Sequence, residues 1–156
     1  MILYSKGILK MVMQMKGSKD LLSSIIKTTQ MGQAGIHTVL KSPLQASLRA
    51  ALQSQLDEYD AIEQEAQSIA ASRGWTLEEL DPAVRSMANI MTRAQLSFGD
   101  TDYKVTAMMI QGNTKGMIKG LHNLRQFQQS DERVSKLSQK LLDCENANIR
   151  QMQGFL

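Results

Sequence analysis

The stretch MMIQGNTKGMIKGLHNL at residues 108–124 has a glycine at every fourth position, in a segment whose other residues favour helix. The three glycines are Gly112, Gly116 and Gly120. Each glycine inside a helix costs about 0.8–1 kcal/mol relative to alanine, so the three together cost about 3 kcal/mol. A helix with this pattern must be stabilised in another way, and the simplest way is a close approach between two backbones.

Helical geometry indicates which face of this segment the glycines occupy. At 100° per residue they border the apolar face that carries Met117 and Leu121, whereas Lys115 and Lys119 point the opposite way. A transmembrane glycine contact is excluded, because the two lysines lie inside the run. An earlier helical segment carries a second pair of glycines. We therefore expect close helix packing at five positions, with a glycine-lined ligand crevice as the alternative: Gly32, Gly35, Gly112, Gly116 and Gly120.

The composition indicates one all-helical domain. The chain has 156 residues, eleven methionines, two prolines and 4% aromatic residues. This length is sufficient for one real hydrophobic core. The single cysteine, Cys144, excludes an internal disulfide and fits a reducing compartment, so we expect a cytoplasmic protein.

The distribution of charge argues against nucleic-acid binding. The chain has 18 basic and 15 acidic residues, a net charge of +3. Residues 1–17 contain Lys6, Lys10 and Lys16 and no acid, so the rest of the chain is neutral. A neutral body lacks the basic surface that phosphate contacts require.

The first seventeen residues differ from the rest of the chain. We expect residues 1–17 to be a flexible basic tail, or a leader if translation starts at Met11, Met13 or Met15, followed by a single domain at 18–156. Lysines interrupt the apolar run, which excludes a membrane span. Weak contact with a membrane surface is the alternative role for this segment.

Periodicity and capping residues predict four long helices and a shorter one. The first is expected at 19–41, with Ser18 as its cap and Pro43 after its end. The second ends at Gly74, a shorter helix starts at Pro82, and the last two long helices cover about 101–128 and 131–153. The short connections between long helices predict two antiparallel hairpins, joined by a crossover at 74–100.

The same geometry predicts polar side chains on the inward faces of the long helices. Folding the first hairpin about residue 42 and the second about residue 129 brings these side chains to one level. The expected polar layer consists of Gln33, Gln55 with Glu58 or Tyr59, Asn113, and Glu145 with Asn148. Such groups can satisfy one another by hydrogen bonds and specify how the helices pair.

Topology and three segments, QLDEYDAIEQEA (55–66), MMIQGNTKGM (108–117) and LLDCENANIRQMQGFL (141–156), resemble the ferritin-like superfamily. The resemblance covers residues 18–156 and is closest to small bacterial proteins related to rubrerythrin. It implies an all-α, ferritin-like four-helix bundle of two antiparallel hairpins, with an additional shorter helix in the long crossover. In metal-binding members, two helices each supply a glutamate and two supply Glu-x-x-His to a dinuclear iron centre.

This chain departs from the metal-binding pattern of that family. Glu145 is followed three residues later by Asn148 rather than histidine, and Glu-x-x-His is absent from the sequence. Asn113 and Gln33 stand where carboxylates are expected, and the residue three after Glu58 is alanine. We therefore expect a degenerate metal site and no cofactor. If iron or manganese binds, Glu58 and Glu145 are the candidate ligands.

The sequence favours the first of three functions and leaves the other two as alternatives. The first is a structural or interaction protein that self-associates, for example as a dimer, or binds a protein partner. The second is a metal-dependent oxidoreductase or iron-handling protein, and the third is a small-molecule binding module with a glycine- and methionine-lined crevice. The residues favour a role without catalysis but leave enzymatic activity open.

Overall fold

The computed structural model describes residues 2–96, 99–127 and 131–156, and this part of the chain forms five helices and no strand. The helices are α1 (Ile2–Val39), α2 (Ala46–Arg73), α3 (Pro82–Leu96), α4 (Thr101–Gln126) and α5 (Glu132–Gln153). The prediction of an all-helical chain with a shorter helix in the crossover is confirmed. None of the described helices is long and apolar enough to cross a membrane.

The helix ends follow local capping chemistry. Gly74 ends α2 in the left-handed conformation, with φ 67°, where a side chain would be strained. The carboxylate of Asp100 accepts a hydrogen bond from the backbone N–H of Tyr103 at the start of α4. Asp131 caps α5 by accepting from the N–H of Arg133 at 2.9 Å. The sequence also predicts Ser130, directly before two acidic residues, as a cap of α5, but Ser130 lies outside the described residues.

The start of α1 differs from the prediction. The helix begins at Ile2, so the expected start at Ser18 is wrong. The Ser18 side chain is buried, and its hydroxyl accepts a hydrogen bond from the backbone N–H of Asp131 at 2.6 Å. Ser18 therefore joins α1 to the start of α5 instead of capping its own helix. Side chains from Lys6 to Met13 are exposed, and the flexibility of this segment stays a prediction.

The four long helices pack antiparallel to their neighbours. The sequence positions in contact run in opposite directions in each pair: Gln33 meets Asp60 across α1 and α2, and Arg49 reaches the carbonyl of Leu40. Across α1 and α4, the Asn123 amide donates to the Ser24 hydroxyl at 2.6 Å. The buried apolar side chains of these helices form one core that includes Leu22, Ile26, Leu52, Ile62, Val105, Leu137 and Met152.

The helices α4 and α5 of the second hairpin are antiparallel, and so are α2 and α5. Gly120 of α4 lies against Leu142 of α5, while the guanidinium of Arg73, at the end of α2, pairs at 2.6 Å with Asp131, at the start of α5. The crossover therefore leaves the end of α2 and returns the chain to the opposite end of the long helices, where α4 begins.

Polar contacts hold the beginning of the crossover against α1. The backbone N–H of Glu78 donates to the Ser23 hydroxyl at 3.2 Å, and that of Leu80 donates to the Gln30 side chain at 2.8 Å. Thr76 and Glu79 have the spacing of a capping box, which predicts a helical turn, but residues 75–81 are non-helical. Beyond this segment, α3 runs in the same direction as α1.

Candidate functional site

Three buried polar side chains meet at the centre of the long helices. The Tyr59 hydroxyl donates to Oδ1 of Asn113 at 2.9 Å, and the Asn148 amide donates to the same oxygen at 3.4 Å. The Asn113 amide donates to the carbonyl of Met109 at 2.8 Å. Burial raises the pKa of Tyr59 well above its ordinary value, and the nearby Glu145 and Cys144 raise it further. Tyr59 is therefore a neutral hydrogen-bond donor across the physiological pH range.

The two glutamines of the expected layer lie elsewhere. Gln33 is half-buried and donates to Asp60 at 2.9 Å, away from Asn113. Gln55 is buried and donates to Gln151 at 2.9 Å, while its own side-chain oxygen has no partner. Gln33 lies at the level of the cluster, next to Gly32, which packs against the Tyr59 ring, but its side chain turns outward to the exposed Asp60. The polar cluster is thus Tyr59, Asn113 and Asn148 rather than a layer on all four helices.

Glu145 is next to this cluster but is not satisfied by it. The residue is 1% exposed, and its Oε1 is buried without a hydrogen-bond partner. Burial raises the pKa of Glu145 to about 8, because removal from water penalises the carboxylate. At neutral pH the group is therefore mostly a neutral carboxylic acid, able to donate one hydrogen bond and to accept others.

The second candidate metal ligand, Glu58, is exposed, and its carboxylate accepts a hydrogen bond from the Cys144 side chain. The Cys144 thiol donates to Oε2 of Glu58 at 3.0 Å. Burial raises the pKa of the half-buried thiol, and the hydrogen bond to Glu58 and its charge raise it further. A thiol held in its protonated form is a poor nucleophile, so the Cys144 side chain is not activated for nucleophilic chemistry.

The donor groups do not fit a dinuclear iron centre. The described residues contain no group of three or more histidine, cysteine, aspartate or glutamate side chains that could hold a metal ion. Around Glu145 the neighbours are a tyrosine and two amides that already bond to one another. A pair of iron ions requires several carboxylates and imidazoles, and these groups supply neither the charge nor the ligand number.

Three of the five glycines lie where a larger residue would collide. A Cβ at Gly32 would lie 2.7 Å from the Tyr59 ring, and one at Gly120 would lie 2.9 Å from Leu142. A Cβ at Gly116 would collide with the Glu145 carboxyl group. These glycines allow side chains of the neighbouring helix to approach the backbone. Gly35 and Gly112 do not make such contacts, since a Cβ at either would meet nothing within 4 Å.

Gly35 and Gly112 face a crevice between α1, α3 and α4 with a volume of about 490 Å³. Its walls are largely apolar, and Tyr59, Asn113 and Glu145 reach it from α2, α4 and α5. The apolar and small wall residues include Met31, Gly35 and Val39 of α1, Val84, Ala88 and Thr92 of α3, and Met108, Met109 and Gly112 of α4. Apolar walls with a few convergent polar groups are typical of small-molecule sites.

Three lysines also line the crevice. Lys27 pairs with Glu78 of the crossover at 2.7 Å, whereas Lys115 and Lys119 are exposed. Glu145 is the one acidic residue among the described lining residues. The sequence predicts Lys115 and Lys119 on a solvent face, but it does not predict that α3 lines the same crevice. Val84, Ala88 and Thr92 are four residues apart, so they share one helix face, and this spacing is the signal in the sequence that α3 lines a common surface.

No family model, curated protein or solved structure matches this chain.

Proposed function

We propose that this chain is a small-molecule binding module, built on a ferritin-like four-helix bundle in which the metal site has become degenerate. The observation that carries this proposal is the crevice of about 490 Å³ with the buried Glu145 carboxyl group at its floor. Pockets for small ligands typically have volumes of about 300–1,000 Å³, so the size is appropriate.

The unpartnered oxygen of Glu145 supports binding rather than a purely structural role. A buried polar atom without a partner costs about 1–3 kcal/mol of stability, and most such atoms in proteins are satisfied. A bound molecule with a polar group could pair with Oε1 of Glu145, and its apolar part could cover the methionines of the walls. The Gln55 and Glu63 side chains also have a buried oxygen without a partner, but of these three residues Glu145 is the one that lines the crevice.

The arrangement of the helices supports the ferritin-like part of the proposal. Two hairpins joined by one long crossover is the topology of that superfamily. The polar cluster lies at mid-height of the long helices, where metal-binding members hold their ligands. In this proposal amides and a tyrosine replaced those ligands, and the gap beside them became the binding site. A cytoplasmic location remains part of the proposal, supported by the lone cysteine.

The test is a fluorescence titration with N-phenyl-1-naphthylamine, a neutral apolar probe that becomes bright in apolar sites. We expect one probe to bind per chain. Gly112→Leu places a side chain in the crevice and is expected to weaken binding at least tenfold. The matched control is Gly7→Leu, the same change at a glycine that also meets nothing within 4 Å but lies outside the crevice. This control should bind as the wild type does.

Each alternative function predicts a different outcome of this titration. If the probe does not bind, or if Gly112→Leu binds it as well as the control does, the proposal is refuted and a structural or interaction role remains. If a chelator abolishes binding, a metal-dependent role replaces the proposal. We expect the chelator to have no effect, because the walls that contact the probe are apolar.

A further inference from the structure

The crevice has two chemically different ends. The contact between Asn123 and Ser24 fixes the antiparallel alignment of α4 and α1. One turn inward from this contact lie Lys119 on α4 and Lys27 on α1, so both lysines belong to the same end. Further along, the alignment brings Met108 of α4 to the level of the last residues of α1, at the other end.

The apolar end lies a considerable distance from the lysines. Val39 is twelve residues beyond Lys27 on α1, and both line the crevice. At 1.5 Å per residue this separation is about 18 Å. A cavity of this length, with cations at one end and a valine and methionines at the other, matches an extended molecule with one charged end.

The position of Glu145 relates it to the lysine end. Glu145 lies directly against Gly116, which is adjacent to Lys115 on α4 and one turn from Lys119. The lysine end therefore presents positive charges at the surface and a carboxyl group beneath them. In its protonated form this carboxyl group can donate a hydrogen bond to an anion that the lysines attract.

We propose that the ligand is a single-chain amphiphile with a negatively charged head, held at Lys115, Lys119 and Glu145, and with an apolar chain that extends toward Val39 and Met108. This inference rests on the proposed function and names its ligand class. The lysines select the charge of the head, and the apolar walls select the chain. Neutral and cationic amphiphiles of the same length can contact the apolar walls, but their heads lack the negative charge that the lysines attract.

The test compares three probes with the same ten-carbon chain by displacement of N-phenyl-1-naphthylamine: decanoate, decanol and decyltrimethylammonium. We expect decanoate to displace the probe at concentrations about tenfold lower than decanol. One exposed ion pair contributes less than this, but the lysines act together on the same carboxylate. Decyltrimethylammonium should be the weakest. Added salt should narrow the difference between decanoate and decanol, since it screens the lysines.

A charge-reversal pair tests whether the lysines cause this preference. Lys119→Glu is expected to remove most of the advantage of decanoate and to leave the affinity for decanol unchanged. The matched control is Arg125→Glu, an equal change of charge on the exposed part of the same helix outside the crevice. This control should retain the preference for decanoate.

Glu145→Gln tests the role of Glu145 separately. Glutamine retains a hydrogen-bond donor of nearly the same shape beneath the lysines, so this variant should keep the preference for decanoate. Loss of the preference would contradict a role of Glu145 as a donor to the head. The titratable groups that face Glu145 or share its crevice are Lys27 on α1, Glu58 and Tyr59 on α2, Lys115 and Lys119 on α4, and Cys144 on α5.

The outcomes distinguish this inference from the proposed function. Equal displacement by decanoate and decanol, or stronger displacement by the cation, would overturn the amphiphile inference while the binding module stands. The same conclusion follows if Arg125→Glu reduces the preference as much as Lys119→Glu does. Failure of the wild type to bind N-phenyl-1-naphthylamine or any of the three chains overturns both.

Discussion

Replacement of Glu145 by glutamine should make the protein more stable at alkaline pH. Glutamine has nearly the same shape as the protonated carboxyl group but cannot ionise. In the folded chain burial raises the pKa of Glu145 to about 8, whereas an exposed glutamate in the unfolded chain has a pKa of about 4.3. Between these values the unfolded chain releases a proton that the folded chain retains, so the stability of the wild type decreases as the pH rises.

The size of the effect follows from this difference. Between about pH 5 and pH 8 the wild type should lose about 1.4 kcal/mol of unfolding free energy per pH unit through this group, or about 3–4 kcal/mol in all. Glu145→Gln lacks this loss. At pH 5 the two proteins should be similar in stability, and at pH 8 the variant should be the more stable by about that amount. For a chain of this length the melting temperature should then differ by about 10 °C.

Urea unfolding followed by circular dichroism, at both pH values, measures this difference. The matched control is Asp143→Asn, which removes an exposed acid from the same helix and should retain the pH dependence of the wild type. A stability difference between Glu145→Gln and the wild type that is the same at pH 5 and pH 8 would refute the reasoning. It would mean that the carboxyl group is ionised in the folded protein at neutral pH.

Four further substitutions test the packing, the polar cluster and a helix cap by urea unfolding. Gly116→Ala should destabilise the fold by about 1–3 kcal/mol, because its Cβ collides with the Glu145 carboxyl group. Gly112→Ala should stabilise the fold by up to about 1 kcal/mol, because alanine favours helix and its Cβ meets nothing within 4 Å. The reverse order of stability would contradict the structure. Tyr59→Phe removes the donor to Asn113 and should cost about 1–2 kcal/mol, and no loss would count against this hydrogen bond. Asp131→Ala should cost about 1–2 kcal/mol at neutral pH. Burial acts to raise the pKa of Asp131, but its arginine partner and two backbone N–H groups lower the pKa overall. The cost of Asp131→Ala should therefore shrink as the pH falls through the lowered pKa. A cost that does not depend on pH would argue against the pairing of Asp131 with Arg73.

The helices could be predicted because their signals are local. Gly74, Pro82 and Asp100 mark helix ends through their own backbone preferences, and the structure uses all three there. Ser18 has the same kind of signal but not the same role. Its hydroxyl bonds to Asp131, 113 residues away, and no local pattern contains that contact.

The polar cluster could be predicted in part. Helical spacing turned Asn113 and Asn148 inward on the second hairpin, and the structure joins them. The same reasoning failed for Gln33, which lies at the level of Tyr59 but turns its side chain to the exposed Asp60. A short loop determines that two helices are antiparallel, but it does not determine which of their faces meet.

The crevice could not be predicted, because it is a property of three helices together. A small residue on an inward face has the same pattern whether it contacts a neighbour, as Gly32 does, or borders open space, as Gly35 does. The sequence predicts Lys115 and Lys119 on a solvent face, and both are exposed, but their place in a crevice with α3 depends on a long crossover. Only the three-dimensional arrangement shows that exposed lysines and a buried glutamate line one space.

The attachment of α3 implies that parts of this protein differ in local stability. Val84, Met87 and Met91 are 47%, 66% and 58% exposed, and a side-chain hydrogen bond at 2.7 Å joins Thr38 of α1 to Asn89. None of the α3 side chains that the structure describes is fully buried, so we expect this helix to open more often than α2 or α5 and its backbone amides to exchange with deuterium earlier than theirs. Because α3 forms one wall of the crevice, its detachment opens a route into the interior while the long helices remain folded. Occupancy of the crevice should then appear as slower deuterium uptake in α3.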